Sequence, residues 1–111
     1  MHVQVVNFNL KDLSVDDFRK ASSDLAPMFA AVPGLLSKVW LADEGSNTFG
    51  GVYLWRDKAA MDEYASSDLF NSVVTNPHLA NLTSKDFGIL DGPSQTTAGA
   101  LKAAFELTAT R

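Results

Sequence analysis

The chain has 111 residues, 46% of them hydrophobic and 20% charged, with a net charge of −4 at pH 7. That length suits one domain spanning residues 1–111, and that balance suits a globular core rather than a disordered chain. The acid excess opposes a nucleic-acid partner, whose phosphates call for a basic face. With no cysteine, disulfides, thiolate metal sites and a cysteine nucleophile are excluded. Two histidines, His2 and His78, are too few for a three-histidine zinc site, so no metal is expected. Gly50-Gly51 is the only glycine doublet, and no Gly-Lys-Ser/Thr follows it, which speaks against a phosphate loop. The longest apolar stretch, Leu25 to Leu36, is broken by Pro27, Pro33 and Gly34 and is too short for a membrane helix. Met1-His2-Val3-Gln4 has neither the basic flank nor the apolar block of a signal peptide, so the expected address is cytoplasmic.

Val3 to Leu10 reads as a strand with apolar residues on both sides. Asn7 and Asn9 share the side that carries Val3 and Val5, and an amide on a buried face needs partners. Ser14 then caps a helix with Asp16 and Asp17 in its first turn. Its apolar stripe runs through Phe18, Ala21, Leu25, Met28, Phe29 and Val32. Pro27 should kink the last turns, and Pro33-Gly34 ends the helix.

Leu35 to Ala42 and Thr48 to Arg56 flank a polar loop and predict a hairpin. Leu36, Lys38, Trp40 and Ala42 share one side of the first strand; Phe49, Gly51, Tyr53 and Trp55 share one side of the second. Lys38 is expected to extend its charged head to the sheet edge. Gly50 and Gly51 inside a strand suggest a bulge or a close approach by backbone or ligand. Asp57 caps a second helix through Ala60, Met61 and Tyr64, broken at Ser66-Ser67-Asp68 and resumed at Leu69 to Val74. Asn76-Pro77-His78 signals a turn. A last strand is expected from about Lys85 to Leu90, ending at Asp91-Gly92-Pro93, with a possible short helix from Ala98 to Leu107.

The order strand, helix, strand, strand, helix, strand is the α+β, ferredoxin-like βαββαβ arrangement with a four-stranded antiparallel sheet. Helices cover one face of such a sheet. Because these strands are apolar on both sides, a homodimer closing the other face is expected.

Three stretches then resemble the dimeric α+β barrel superfamily: Pro33-Gly34-Leu35-Leu36-Ser37-Lys38-Val39-Trp40, Gly50-Gly51-Val52-Tyr53-Leu54-Trp55-Arg56-Asp57-Lys58, and Met61-Asp62-Glu63-Tyr64. Within it, the chain is most similar to the small bacterial monooxygenases related to antibiotic-biosynthesis monooxygenases. The resemblance covers about nine-tenths of the chain and implies a pocket in each subunit between the sheet and the helices. It implies an enzyme that uses no cofactor: an aromatic phenol or hydroquinone is deprotonated, reduces O2, and leaves as a quinone. Relatives on this scaffold also include polyketide cyclases, lyases, haem-degrading enzymes and stress-response proteins, so a cyclase or a non-catalytic aromatic-binding protein are the rival readings.

Such chemistry needs an aromatic cavity, hydrogen bonds to an anion, and a proton acceptor. Trp40, Tyr53 and Tyr64 are the candidate substrate-binding walls, each equally explicable as core packing. Asn7, Trp55 and His78 are the candidate catalytic residues. Asn7 and Trp55 would donate hydrogen bonds, and His78, the one histidine away from the terminus, would act as base. In haem-degrading relatives an asparagine on the first strand, a tryptophan on a later strand and a histidine in the second helical region form the site. The same three residues can be laid over that trio, but His78 follows Pro77 in a turn, a poor place for an axial ligand, and no haem is expected.

Overall fold

The computed structural model describes residues 1–99. In chain order the elements are β1 (His2–Leu10), α1 (Val15–Ala30), β2 (Leu35–Asp43), β3 (Thr48–Trp55), α2 (Lys58–Ala65), α3 (Asp68–Val74), β4 (Leu79–Gly88) and α4 (Asp91–Thr97). The strands form one four-stranded sheet in the order β2-β3-β1-β4, every neighbouring pair antiparallel. This is the ferredoxin-like α+β arrangement that the sequence predicts.

Capping side chains start three of the helices. Ser14 Oγ accepts from the Asp17 N–H at 3.1 Å, Asp57 Oδ1 from Ala60 at 2.8 Å, and Ser67 Oγ from Phe70 at 3.2 Å. Each satisfies a donor that the first helical turn leaves free. Helix α1 runs through Pro27 to Ala30 and is capped by Ala31.

The alternation of each strand sets its two faces. Gln4, Val6 and Phe8 of β1 are buried beneath the helices, joined by Phe49, Tyr53 and Trp55 of β3. Phe29 of α1 and Ala60, Met61 and Tyr64 of α2 close the core over them. The register pairs Val6 with Gly51 and Asn7 with Gly50 without interruption, so the glycine doublet is not a bulge. A Cβ at Gly50, where φ is +148°, would lie 1.8 Å from the Val6 carbonyl oxygen. Backbone approach is the reason for glycine there. The bulges lie elsewhere, at Leu35/Ser37 between β2 and β3 and at Asn7/Asn9 between β1 and β4.

Two expectations are corrected. Strand β4 runs from Leu79, six residues before Lys85, to Gly88, and Asp91-Gly92-Pro93, expected as the turn that ends the strand, is the start of α4. The expected helix from Ala98 to Leu107 falls, from residue 100 onward, outside the described residues. The second sheet face carries Val3, Val39, Val52 and Leu54, which with Ile89 and residues of α4 line a recess of about 300 Å³. Val39 and Phe87 remain 57% and 55% exposed on it.

Candidate functional site

Between α1 and the sheet lies a cavity of about 120 Å³. Its walls are Phe8, Tyr53 and Trp40 from the sheet, Phe18, Leu25 and Phe29 from α1, and Val73, Asn76 and Leu79 near the start of β4. Two wider recesses, about 340 and 300 Å³, open between α1 and β2 on the far side of Trp40 and Lys38. The cavity is roughly the size that holds one benzene ring, since an engineered apolar void of ~150 Å³ binds benzene. Edge-to-face contacts hold the wall together: Phe29 on Trp40 at 5.3 Å, Phe8 on Phe18 at 5.7 Å and Phe18 on Phe49 at 5.2 Å.

Tyr53 and Trp40, two of the three candidate wall residues, meet in this cavity. Tyr64 does not line it but stands behind Tyr53, the two hydroxyls 3.4 Å apart and both residues buried. Burial, with the Tyr64 hydroxyl beside it, pushes the Tyr53 phenol far above its ordinary value. Burial likewise raises Tyr64, while the hydrogen bond from Tyr53 opposes that rise. Both phenols stay protonated at neutral pH and serve as donors, not bases.

The three candidate catalytic residues are not brought together. Trp55 is fully buried and stacks on Tyr53 at 5.9 Å with 4° between the rings. Its indole N–H donates to Gln4 Oε1 at 3.0 Å, and the Gln4 amide donates to Ser84 Oγ at 2.9 Å. That donor is already committed inside the protein. Asn7 lies between Val6 and Phe8, both of which point under the helices, so strand alternation turns it to the opposite face. His78 is exposed, its Nδ1 2.9 Å from the Lys11 carbonyl oxygen and its backbone carbonyl accepting from the Lys11 N–H at 2.9 Å. It fastens the β1–α1 connection to the start of β4. A haem site of Asn7, Trp55 and His78 therefore does not fit this chain.

Lys38, too, departs from its expected place. Its stem shares the face of Trp40, as alternation requires, but the head turns inward rather than to the edge. Lys38 Nζ lies 3.4 Å from the Phe29 ring centroid, 3.5 Å from Trp40 and 4.7 Å from Tyr53. It has no carboxylate within ion-pair distance among the described residues. Aromatic faces attract an ammonium, yet they do not replace water around it. Burial lowers the amine from 10.5 to about 7. Room for it comes from Gly51, where a Cβ would meet Lys38 Cε at 2.9 Å. Gly51 pairs with Trp40 on β2 and lies diagonal to Lys38, which pairs with Tyr53, so the missing side chain leaves space for the lysine stem.

Among solved structures, an antibiotic biosynthesis monooxygenase superimposes with a TM-score of 0.66 and 19% identity, over 81% of this chain and 99% of that one. SnoaB, a cofactor-independent oxygenase from Streptomyces nogalater, gives 0.63 and 20%, over 80% and 93%. The haem degrader MhuD from Mycobacterium tuberculosis gives 0.65 and 16%, over 81% and 96%. At such identities these likenesses speak for the fold. No curated protein sequence matches. Among the described residues no helix is long and apolar enough to cross a membrane. One family model matches residues 3–100, nearly the whole sheet-and-helix unit that builds the cavity, and by that match the chain belongs to the family described as "Putative mono-oxygenase ydhR".

Proposed function

We propose that this chain oxidises a phenol or hydroquinone with O2 and without a cofactor, in the cavity between α1 and the sheet. The observation that carries the reading is the aromatic lining of that cavity in a chain of a mono-oxygenase family. The rings of Trp40, Tyr53 and Phe29 offer faces and edges to a planar substrate, and the apolar wall keeps water from a developing radical pair.

The reaction needs only substrate and oxygen. The phenol loses its proton, and the phenolate passes one electron to O2. The aryloxyl radical and superoxide couple at a ring carbon that still carries hydrogen, para to the oxygen in a phenol and ortho to it in a hydroquinone, and the adduct takes up a proton to become a hydroperoxide. Loss of the hydrogen on that carbon as a proton sends the C–H electron pair into a new C=O and breaks the O–O bond. Hydroxide leaves and becomes water. Phenol and O2 give quinone and water, one oxygen atom in each.

An oxygen electrode with a panel of phenols and hydroquinones tests the reading. One O2 consumed per quinone formed, above the protein-free rate, is the expected result. Turnover that persists under nitrogen would replace it with a cyclase or lyase. Tight aromatic binding with no turnover under air would make the chain a binding protein.

The second sheet face supports a homodimer. Val3, Val39, Val52 and Phe87 leave an apolar surface that a second copy of the same sheet would cover, and an obligate interface of ~2,000 Å² or more would suit it. Sedimentation is expected to give twice the chain mass at micromolar concentration; a stable monomer would sink this part.

A further inference from the structure

Among the described residues, Lys38 and Tyr53 are the only titratable side chains lining the cavity, and Tyr53 is held protonated. An ammonium in an aromatic enclosure without a carboxylate lacks what usually accompanies a buried cation: a counterion. The groups facing it are Phe29 from α1, Trp40 on its own strand and Tyr53 from β3, with the neutral Tyr64 of α2 behind. Among the described residues, the charged side chain of α1 that lines these spaces is cationic: Arg19, in the recess beyond Trp40. Nothing on these elements supplies the missing negative charge, and the empty volume beside Nζ is where a ligand would bring it.

We propose that Lys38 is the anion receptor and proton acceptor of the cavity: its amine takes the proton of an entering phenol and holds the phenolate oxygen, so the site selects phenols and aryl carboxylates over neutral aromatics. This rests on the cavity being the substrate site. In the transfer the phenol O–H bond breaks, its electron pair stays on oxygen, and a new N–H bond forms at Nζ. No oxidant takes part. An amine titrating at about 7 is half unprotonated near neutral pH and can accept. Once both charges share the cavity, each is the counterion that the other lacks. The phenolate so formed is the electron-rich species that can reduce O2.

The experiment uses 4-nitrophenol, yellow as the anion and colourless as the acid, under nitrogen and buffered below the probe's own pKa. Wild-type protein is expected to turn the solution yellow in a saturable way, and benzoate to bleach it by competition. Lys38→Arg keeps a permanent cation and should hold phenolate colour. Lys38→Met is expected to bind about 10–100-fold more weakly and without colour, the loss of one charge-assisted hydrogen bond. Colourless binding by the wild type, no binding by the folded wild type, or colour that persists in Lys38→Met would each overturn the proposal. The competition arm needs no variant. Because the electron-poor probe is not oxidised, failure of the oxygenase reading would show as absent oxygen uptake with this colour response intact.

Discussion

Lys38→Met is expected to make the fold more stable at pH 7, by about 2 kcal/mol, while removing the phenolate response. The amine titrates at about 7 in the folded protein against 10.5 for an ordinary lysine. A shift of that size in a dry site would correspond to roughly 4–5 kcal/mol, and partial solvent access to the side chain reduces it to about half. Folding here favours the neutral amine, so between the two values the unfolded chain binds more protons than the folded one. The penalty is therefore complete below about pH 7, shrinks as pH rises toward 10.5, and is gone above it. Wild-type stability should climb through that window, and Lys38→Met should lack this rise, so the two converge at its alkaline end. Denaturant melts across the window check the slope. Parallel curves would mean that Nζ is as well solvated folded as unfolded. A lysine kept where methionine would be more stable is the signature of a group retained for function.

Gly50→Ala is expected to have the opposite and larger effect. The new Cβ would need to sit 1.8 Å from the Val6 carbonyl oxygen and 2.8 Å from its carbon, both backbone atoms in the middle of the sheet. Relief requires parting β1 from β3, the two central strands. A φ of +148° adds strain for any residue with a side chain. The combined cost should reach at least ~3 kcal/mol, a loss of about 12 °C or more in Tm for a domain of this size. Gly51→Ala is the control. Its Cβ meets the end of the Lys38 stem at 2.9 Å, a flexible group that can move. A small change in Tm with a disturbed Lys38 is expected there. If the two glycine variants melt alike, the close approach of β1 is not what selects glycine at position 50.

Much of the fold was legible because the periodicities were clean. The two-residue alternation of Phe49, Gly51, Tyr53 and Trp55 and the caps Ser14 and Asp57 marked elements where the structure has them. The first half of β4 was not, since Leu79 to Ser84 is short of β-branched and aromatic residues. Its alternation is also broken near the bulge, where Asn81 adopts a φ of +56°. What identifies that segment as a strand is its pairing with β1, a long-range contact that no local pattern carries. In the candidate site, alternation places two of the three expected wall residues beside the cavity and leaves its polar groups undetermined. Trp40 and Tyr53 sit where same-side alternation puts them. Asn7 stands among apolar neighbours on a strand whose two faces look alike, so the pattern does not say which face lies under the helices. The pattern leaves the Trp55 N–H free because Gln4, its acceptor, is 51 positions away. The pattern sends Lys38 to the edge because it alternates with Leu36 and Trp40 and long cations usually reach water; the aromatic enclosure formed by α1 and β3 lies outside its own neighbourhood in sequence.

The two tryptophans occupy opposite conditions, and this gives the molecule two separate optical signals. Trp55 has no exposed surface and lies against Tyr53 with its N–H bonded to Gln4, so its emission should stay blue and change only when the core comes apart. Trp40 is 36% exposed, borders the cavity and carries the Lys38 amine on its ring face. Its fluorescence should respond to whether that nitrogen is charged and to whatever fills the space beside it. A titration from pH 6 to 8 across the amine's value of about 7 would then dim or brighten the red part of the spectrum and leave the blue part fixed. Replacing Trp40 with phenylalanine would leave a probe of unfolding alone, and replacing Trp55 would leave the folded protein with the cavity's probe alone.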